Sequence, residues 1–232
     1  MQLWLKACAL GLLMQHGMSN IFPSFQYSHL RRNMLEGHSL RILPPGASIT
    51  NGEGSSHRNG YRKHLRDALR YAQAEVDMVG SKRDGTNFND DDNEGHGGFT
   101  IKRVYDMVKA QYRVKPNLVL INAGTNNCVR ENSNAYASGK QQMKAMVIDI
   151  FDNIPEVTVI LSGLLPQRDV GACTEFLNFE YAKIVDELAG EGRKVIFADF
   201  HTRWITLDEI PDGTHPNDSG YKKTAGIWFD AI

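Results

Sequence analysis

Five short runs rich in Val, Ile and Leu recur along this chain, alternating with stretches of helical spacing. That alternation limits the fold more than any other feature. The runs cover residues 40–43, 76–79, 118–122, 158–165 and 194–200. They show little apolar/polar alternation, as expected of strands covered on both faces in a parallel sheet. Residues 61–72, 101–112, 143–151, 176–188 and 221–231 carry apolar side chains at helical intervals, such as Leu65, Ala68, Leu69 and Ala72 in the first. Parallel strands need right-handed crossovers, so the repetition predicts a three-layer α/β/α sandwich with a five-stranded parallel sheet. The pattern begins at residue 39 and runs to 232, without an internal repeat or a second domain.

A chain of 232 residues can bury a core without disulfide or metal staples. Its 26 Lys and Arg against 27 Asp and Glu leave a formal charge of -1. Without a basic excess there is no counterion release to drive binding, so nucleic acid is not an expected partner. No apolar run reaches the roughly 20 residues of a membrane-spanning helix. Residues 1–14 have one cation, Lys6, ahead of an apolar run, which is the outline of a secretory signal peptide with a short apolar region and no small-x-small cleavage site. A leader without defined structure is the competing reading. Residues 19–38 read as a linker or irregular extension, so 1–38 is set apart from the domain at 39–232. Removing the leader removes Cys8 and leaves Cys128 and Cys173, whose loops the predicted fold brings to one edge of the sheet. A disulfide between them, and secretion, are the expectations.

Ligands of open α/β sheets bind outside the carboxyl ends of the strands. After the first strand comes Gly46-Ala47-Ser48-Ile49-Thr50. Past the second lies Glu94-Gly95-His96-Gly97-Gly98-Phe99, and the third ends in Asn122-Ala123-Gly124-Thr125-Asn126-Asn127. The fifth is followed by Asp212-Gly213-Thr214-His215-Pro216. These supply the parts of an acyl-transfer site. A serine hydroxyl becomes a nucleophile when an imidazole takes its proton, and a carboxylate three residues earlier can fix that imidazole's tautomer. Ser48, His215 and Asp212 fit those roles. The resulting oxyanion needs aimed N–H donors, which the amides of Ser48 and Gly98 and the carboxamide of Asn126 can supply.

The combination resembles the SGNH (GDSL-type) hydrolases from about residue 40 onward, with Ser48, Gly98, Asn126 and His215 in the four family blocks. The wording Asn59-Gly60-Tyr61-Arg62, the Glu94-Gly95-His96 block and the His215-Pro216-Asn217 ending are most similar to fungal carbohydrate-esterase-type members. The resemblance implies a flavodoxin-like sheet, no metal and no organic cofactor. It implies a serine esterase removing a short acyl group, acetyl first, from a small-molecule or polysaccharide ester. The alternatives are a lipid esterase or lysophospholipase on the same triad, and a non-catalytic binding module on an esterase fold. A nucleotide binder is disfavoured, because Gly-Ala-Ser-Ile-Thr lacks the lysine and glycines of a phosphate cradle. Two departures stand out: the family has Asp before the nucleophile, here Ala47, and Asp after the block-three Asn, here Asn127. Both family residues brace loops, so their loss predicts looser oxyanion geometry.

Other side chains read as structural. His96 is expected to bond backbone in a turn, His57 and His64 to lie on the surface, and His201 to end a strand. No His/Cys/Asp/Glu set has zinc spacing. The acidic stretch 84–94 reads as a solvated loop, and Lys82, Arg83, Arg168 and Asp169 as mouth residues able to touch substrate hydroxyls. Asn217-Asp218-Ser219 matches a glycosylation sequon, but Asp218 or Ser219 is the expected cap of the last helix. Trp228 is expected in the core, whereas Trp204 remains open.

Overall fold

The computed structural model describes residues 34–131, 134–201 and 204–232. The expected leader, Cys8 and the first part of the extension lie outside the described residues. The chain runs β1 (Ser39–Leu43), β2 (Pro45–Gly46), α1 (Ser48–Asn51), α2 (Gly60–Tyr71), β3 (Glu75–Met78), β4 (Lys82–Arg83) and β5 (Asp92–Gly95). It continues through α3 (Ile101–Gln111), β6 (Leu118–Ile121), α4 (Thr125–Glu131), α5 (Asn134–Asn153) and β7 (Thr158–Ser162). Then come α6 (Gly171–Gly190), β8 (Val195–Ala198) and α7 (Asp218–Ala231).

The main sheet has five parallel strands in the order β3-β1-β6-β7-β8. With its five strands ranked by sequence this is the 2-1-3-4-5 order of flavodoxin-like folds, as the family resemblance implies, and its all-parallel pairing is what the alternation of strand and helix predicts. Successive side chains point to opposite faces, and here both faces are covered. Leu43, Val119, Ile121, Val159 and Leu161 join the core under α3, α5 and α6. Ile42, Leu118, Leu120 and Ile160 join the one under α2 and α7. That is why the inner strands read as unbroken apolar runs. The edge strand β3 does alternate, exposing Glu75 and Asp77 and burying Met78. On the second face Trp228 is fully buried as expected, with its ring centroid 5.7 Å from Tyr61 and 4.9 Å from Phe200. Burying such a ring stabilises a fold by about 3–5 kcal/mol, judged by truncation to alanine.

Three elements depart from the sequence reading. Helix α5 starts at Asn134, well before residue 143. The stretch 138–142, Ser-Gly-Lys-Gln-Gln, has no apolar stripe to reveal it, and Gly139 lets α6 approach: a Cβ there would lie 2.9 Å from Leu177 Cδ2. Helices α1 and α4 carry no helical spacing in the sequence, because short helices opening on glycine-containing turns have loop composition.

The acidic stretch 84–94 is a loop only as far as Asp91, with Thr86, Asn87 and Asn89 exposed, and its aspartates are not simply solvated. Its end forms β5, which pairs antiparallel with β4 and parallel with β2. Its carboxylates meet cations from elsewhere: Arg66 Nε donates to Asp90 Oδ2 at 2.6 Å, and Arg83 Nη2 lies 2.8 Å from Asp91 Oδ1. Behind them the fully buried Arg62 donates to the carbonyls of Thr50 (2.9 Å), Asn51 (3.2 Å), Arg58 (2.8 Å), Asp84 (2.8 Å) and Asp91 (3.2 Å). One guanidinium therefore ties α1 to the acidic stretch. Burial lowers its pKa, and the neighbouring tyrosine and aspartates oppose that shift.

Candidate active site

β1 ends at Leu43, and the short β2 carries the chain to the carboxyl edge, where Gly46 bridges Asn122 at the end of β6. The approach demands glycine, since a Cβ at Gly46 would lie 2.6 Å from the Asn122 carbonyl oxygen. Ser48 opens α1 and is almost completely buried.

At the other end of the chain, Asp212 folds the turn that presents His215. Asp212 Oδ1 accepts the main-chain N–H of Thr214 (2.9 Å) and of His215 (2.7 Å), the reach of an Asx turn. Its Oδ2 lies 2.7 Å from His215 Nδ1, and His215 Nε2 lies 2.8 Å from Ser48 Oγ. An ionised carboxylate can only accept, so Nδ1 carries the proton and the bare Nε2 accepts from the serine hydroxyl. Partial burial raises the Asp212 carboxyl pKa, but the hydrogen bonds from His215 and Thr214 outweigh it and hold it below the usual carboxylate range. The three residues expected to work together are in contact.

The loop with Gly98 is a tight turn in which Phe99 N–H donates to the His96 carbonyl at 3.1 Å. Gly98 takes φ +75, which a type II turn requires at its third position and glycine tolerates. The turn is joined to the serine block, since His96 N–H donates to the Gly46 carbonyl at 3.0 Å. Asn126, in the first turn of α4, donates its Nδ2 to the Phe99 carbonyl at 3.1 Å. The three blocks proposed to hold an oxyanion therefore meet at one edge.

Asn127 does not behave as a lost brace. It is fully buried, and its Oδ1 accepts the Ile101 N–H that opens α3 at 2.9 Å. A carboxamide oxygen does there what a carboxylate oxygen would. Ala47 has only a methyl group to offer. The Cys128–Cys173 disulfide is present and joins α4 to α6, two residues beyond Asn126.

Several other expectations need correction. His96 bonds a side chain, with Nε2 2.6 Å from Glu94 Oε1, and stacks on Phe99 at 4.8 Å. The buried Glu94 also accepts from Ser81 N–H (2.7 Å) and Oγ (2.8 Å). Lys82 and Arg83 sit in β4 facing Asp84 and Asp91 rather than a substrate mouth. Arg168 and Asp169 are exposed, and Arg168 lies beside Gly213, next to the Asp212 turn. His57 and His64 are exposed as expected; His201 lies three residues past β8, 3.8 Å from Glu175. The last helix is capped by Asn217, whose Oδ1 accepts the Gly220 N–H at 3.0 Å. Asp218 instead accepts from Ser56 N–H (2.9 Å) and Oγ (2.6 Å), and Ser219 Oγ donates to Glu209 (2.9 Å). Trp204 is exposed beside β8, lining a groove with Ile196 and Phe197.

Glu53 and Arg130 had no signal in the sequence. Glu53 Oε2 lies 3.6 Å from His215 Nε2, and a Cβ at Gly98 would lie 2.8 Å from Arg130 Nη2. Neither belongs to a spaced pattern, and only the folded chain brings them to the rim. Among the described residues no group of three or more His, Cys, Asp or Glu could hold a metal ion, and no helix is long and apolar enough to cross a membrane.

A five-stranded parallel sheet with these loops at its carboxyl edge is a flavodoxin-like α/β architecture with its candidate site where such sheets bind ligands. The chain belongs to the GDSL-like lipase/acylhydrolase family, whose model matches residues 46–223. It is 26% identical over 224 aligned residues to a multidomain esterase of Ruminococcus flavefaciens; the match takes in 84% of this chain and 28% of that protein. The chain thus spans under a third of that relative. Among solved structures it is similar to a family 3 carbohydrate esterase of Clostridium thermocellum: 29% identity, TM-score 0.74, 83% of this chain and 94% of the other. A family 3 carbohydrate esterase of Talaromyces cellulolyticus shares the fold at 22% identity and TM-score 0.66, over 82% and 95% of the two chains.

Proposed function

We propose that this chain is a serine esterase that removes short acyl groups, acetyl above all, from carbohydrate. The observation that carries the reading is the hydrogen-bonded series Asp212–His215–Ser48, at 2.7 and 2.8 Å. Ser48 Oγ attacks the ester carbonyl as His215 Nε2 takes its proton, and Asp212 stabilises the imidazolium. The Ser48 and Gly98 amides and the Asn126 carboxamide receive the oxyanion. His215 protonates the departing alkoxide, and water then repeats the sequence on the acyl-enzyme. The likeness to the Clostridium thermocellum carbohydrate esterase supports a carbohydrate substrate. The oxygen of Asn127 still bracing α3 supports an active enzyme over a decayed binding module. The disulfide supports an oxidising compartment and hence secretion.

A fluorophosphonate probe tests the reading. It should label wild type at Ser48 and leave a folded S48A variant unlabelled. Wild type should turn over 4-nitrophenyl acetate, and acetyl esters faster than octanoyl esters. A wild type that resists the probe and hydrolyses no faster than heat-killed protein would establish the binding module instead. Faster octanoyl hydrolysis would favour a lipid esterase.

A further inference from the structure

Glu53 is a carboxylate that the Ser48–His215–Asp212 series does not use, and its main chain is held firmly. Its main-chain N–H donates to the Ser48 carbonyl at 3.0 Å, and its carbonyl accepts the Tyr221 hydroxyl at 2.5 Å. Burial pushes that phenol's pKa up, so the hydroxyl keeps its proton and donates. Arg58 Nη2 stands 3.7 Å from Glu53 Oε1 and donates to Asn51 Oδ1 at 2.7 Å.

The carboxylate lies across the front of the site. Oε2 is 3.6 Å from His215 Nε2, while Oε1 fills the space a side chain at Gly97 would need, 2.4 Å from the Cβ position. It thus reaches from the base to the loop that carries Gly98.

His215 Nε2 hands its proton to the oxygen of the leaving alcohol, so that oxygen must stand within hydrogen-bond distance of Nε2. Glu53 Oε2 neighbours the same nitrogen. A hydroxyl on the carbon adjacent to the one that bears the ester oxygen is therefore within its reach, and an ionised carboxylate can only accept. An alcohol without that hydroxyl would leave the carboxylate facing carbon, its water removed and nothing in exchange. Sites built to bond a substrate hydroxyl reject analogues that lack it.

We propose that Glu53 determines specificity by accepting a hydrogen bond from the hydroxyl adjacent to the ester on the leaving alcohol. The site then prefers monoacylated vicinal diols, as sugar rings present, over esters whose alcohol has no neighbouring hydroxyl. The inference rests on the esterase reading, and the test separates the two.

The measurement is the ratio of kcat/KM for two probes: an acetylated methyl xyloside with its neighbouring hydroxyls free, and the same ester with those hydroxyls methylated. A hydrogen bond to a charged group makes the wild-type ratio about ten- to hundredfold. E53Q should reduce it and E53A should bring it near unity, with fluorophosphonate labelling reporting an intact nucleophile. A wild-type ratio near unity, or one that survives in E53A, overturns the proposal while leaving the esterase reading intact. Loss of labelling in both variants would assign Glu53 to holding His215 and also overturns it. A wild type that hydrolyses neither probe and escapes labelling brings down the esterase reading first.

Discussion

Asp212 holds His215 twice: one carboxylate oxygen accepts the ring Nδ1–H at 2.7 Å, and the other accepts the main-chain N–H of the same residue at 2.7 Å. The first contact fixes the tautomer and the second fixes the turn. In D212N the carboxamide can keep the turn with its oxygen while presenting an N–H donor to Nδ1. The proton then moves to Nε2, where it blocks acceptance from Ser48. D212N should fold normally and lose about 10⁴-fold in kcat, measured on 4-nitrophenyl acetate alongside circular dichroism.

Asn126 should matter in the transition state more than in the ground state. N126A should lower kcat about 10²–10³-fold with little change in KM. A variant with wild-type kcat would remove Asn126 from the oxyanion site and leave it the role of anchoring Phe99.

The Cys128–Cys173 cross-link closes a sequence separation of 45 residues. Chain-entropy arithmetic gives it about 4 kcal/mol of stabilisation. C128S/C173S, or reduced wild type, should melt well below the oxidised protein. Because α4 also carries Asn126, kcat should decline before the fold is lost, which activity and circular dichroism followed together through a thermal ramp would reveal.

Acid stability follows from carboxylates whose pKa values lie below their ordinary range, six of them among the described residues. Asp212 and Glu209 are held down by hydrogen bonds that outweigh burial, and Asp218 by its bonds from Ser56. A folded-state pKa below the unfolded one adds stability above the unfolded value, which is lost as pH falls through the folded one. The melting temperature should thus be level above about pH 5 and drop below about pH 4. D218N should soften that acid drop. An equally steep fall in D218N would show that the Ser56 contact contributes nothing.

The sheet was legible because its inner strands are covered on both sides, so composition alone marks them. Ser48, Asp212 and His215 were legible because the proposed chemistry needs fixed residue types in the loops beyond the strands. What escaped depends on partners remote in sequence. The aspartates of the acidic stretch look solvated until α2 supplies Arg66 and Arg62. Asn127 looks like a lost brace until its oxygen is seen on Ile101. Asn217 takes the cap because it holds the extended position just ahead of the helix, while Asp218 reaches back to Ser56. Glu53 sits five residues past Ser48 in a stretch with no periodic signal, and its proximity to His215 is a product of folding.

The Ser48–His215 contact joins residues 167 apart, and the second of them lies just ahead of the last helix. A growing chain therefore carries the Ser48 hydroxyl without its imidazole partner until residue 215 has been made. On the esterase reading, reactivity would switch on only when the Asp212 turn docks, so a serine-directed probe would double as a stopwatch for the folding of this domain.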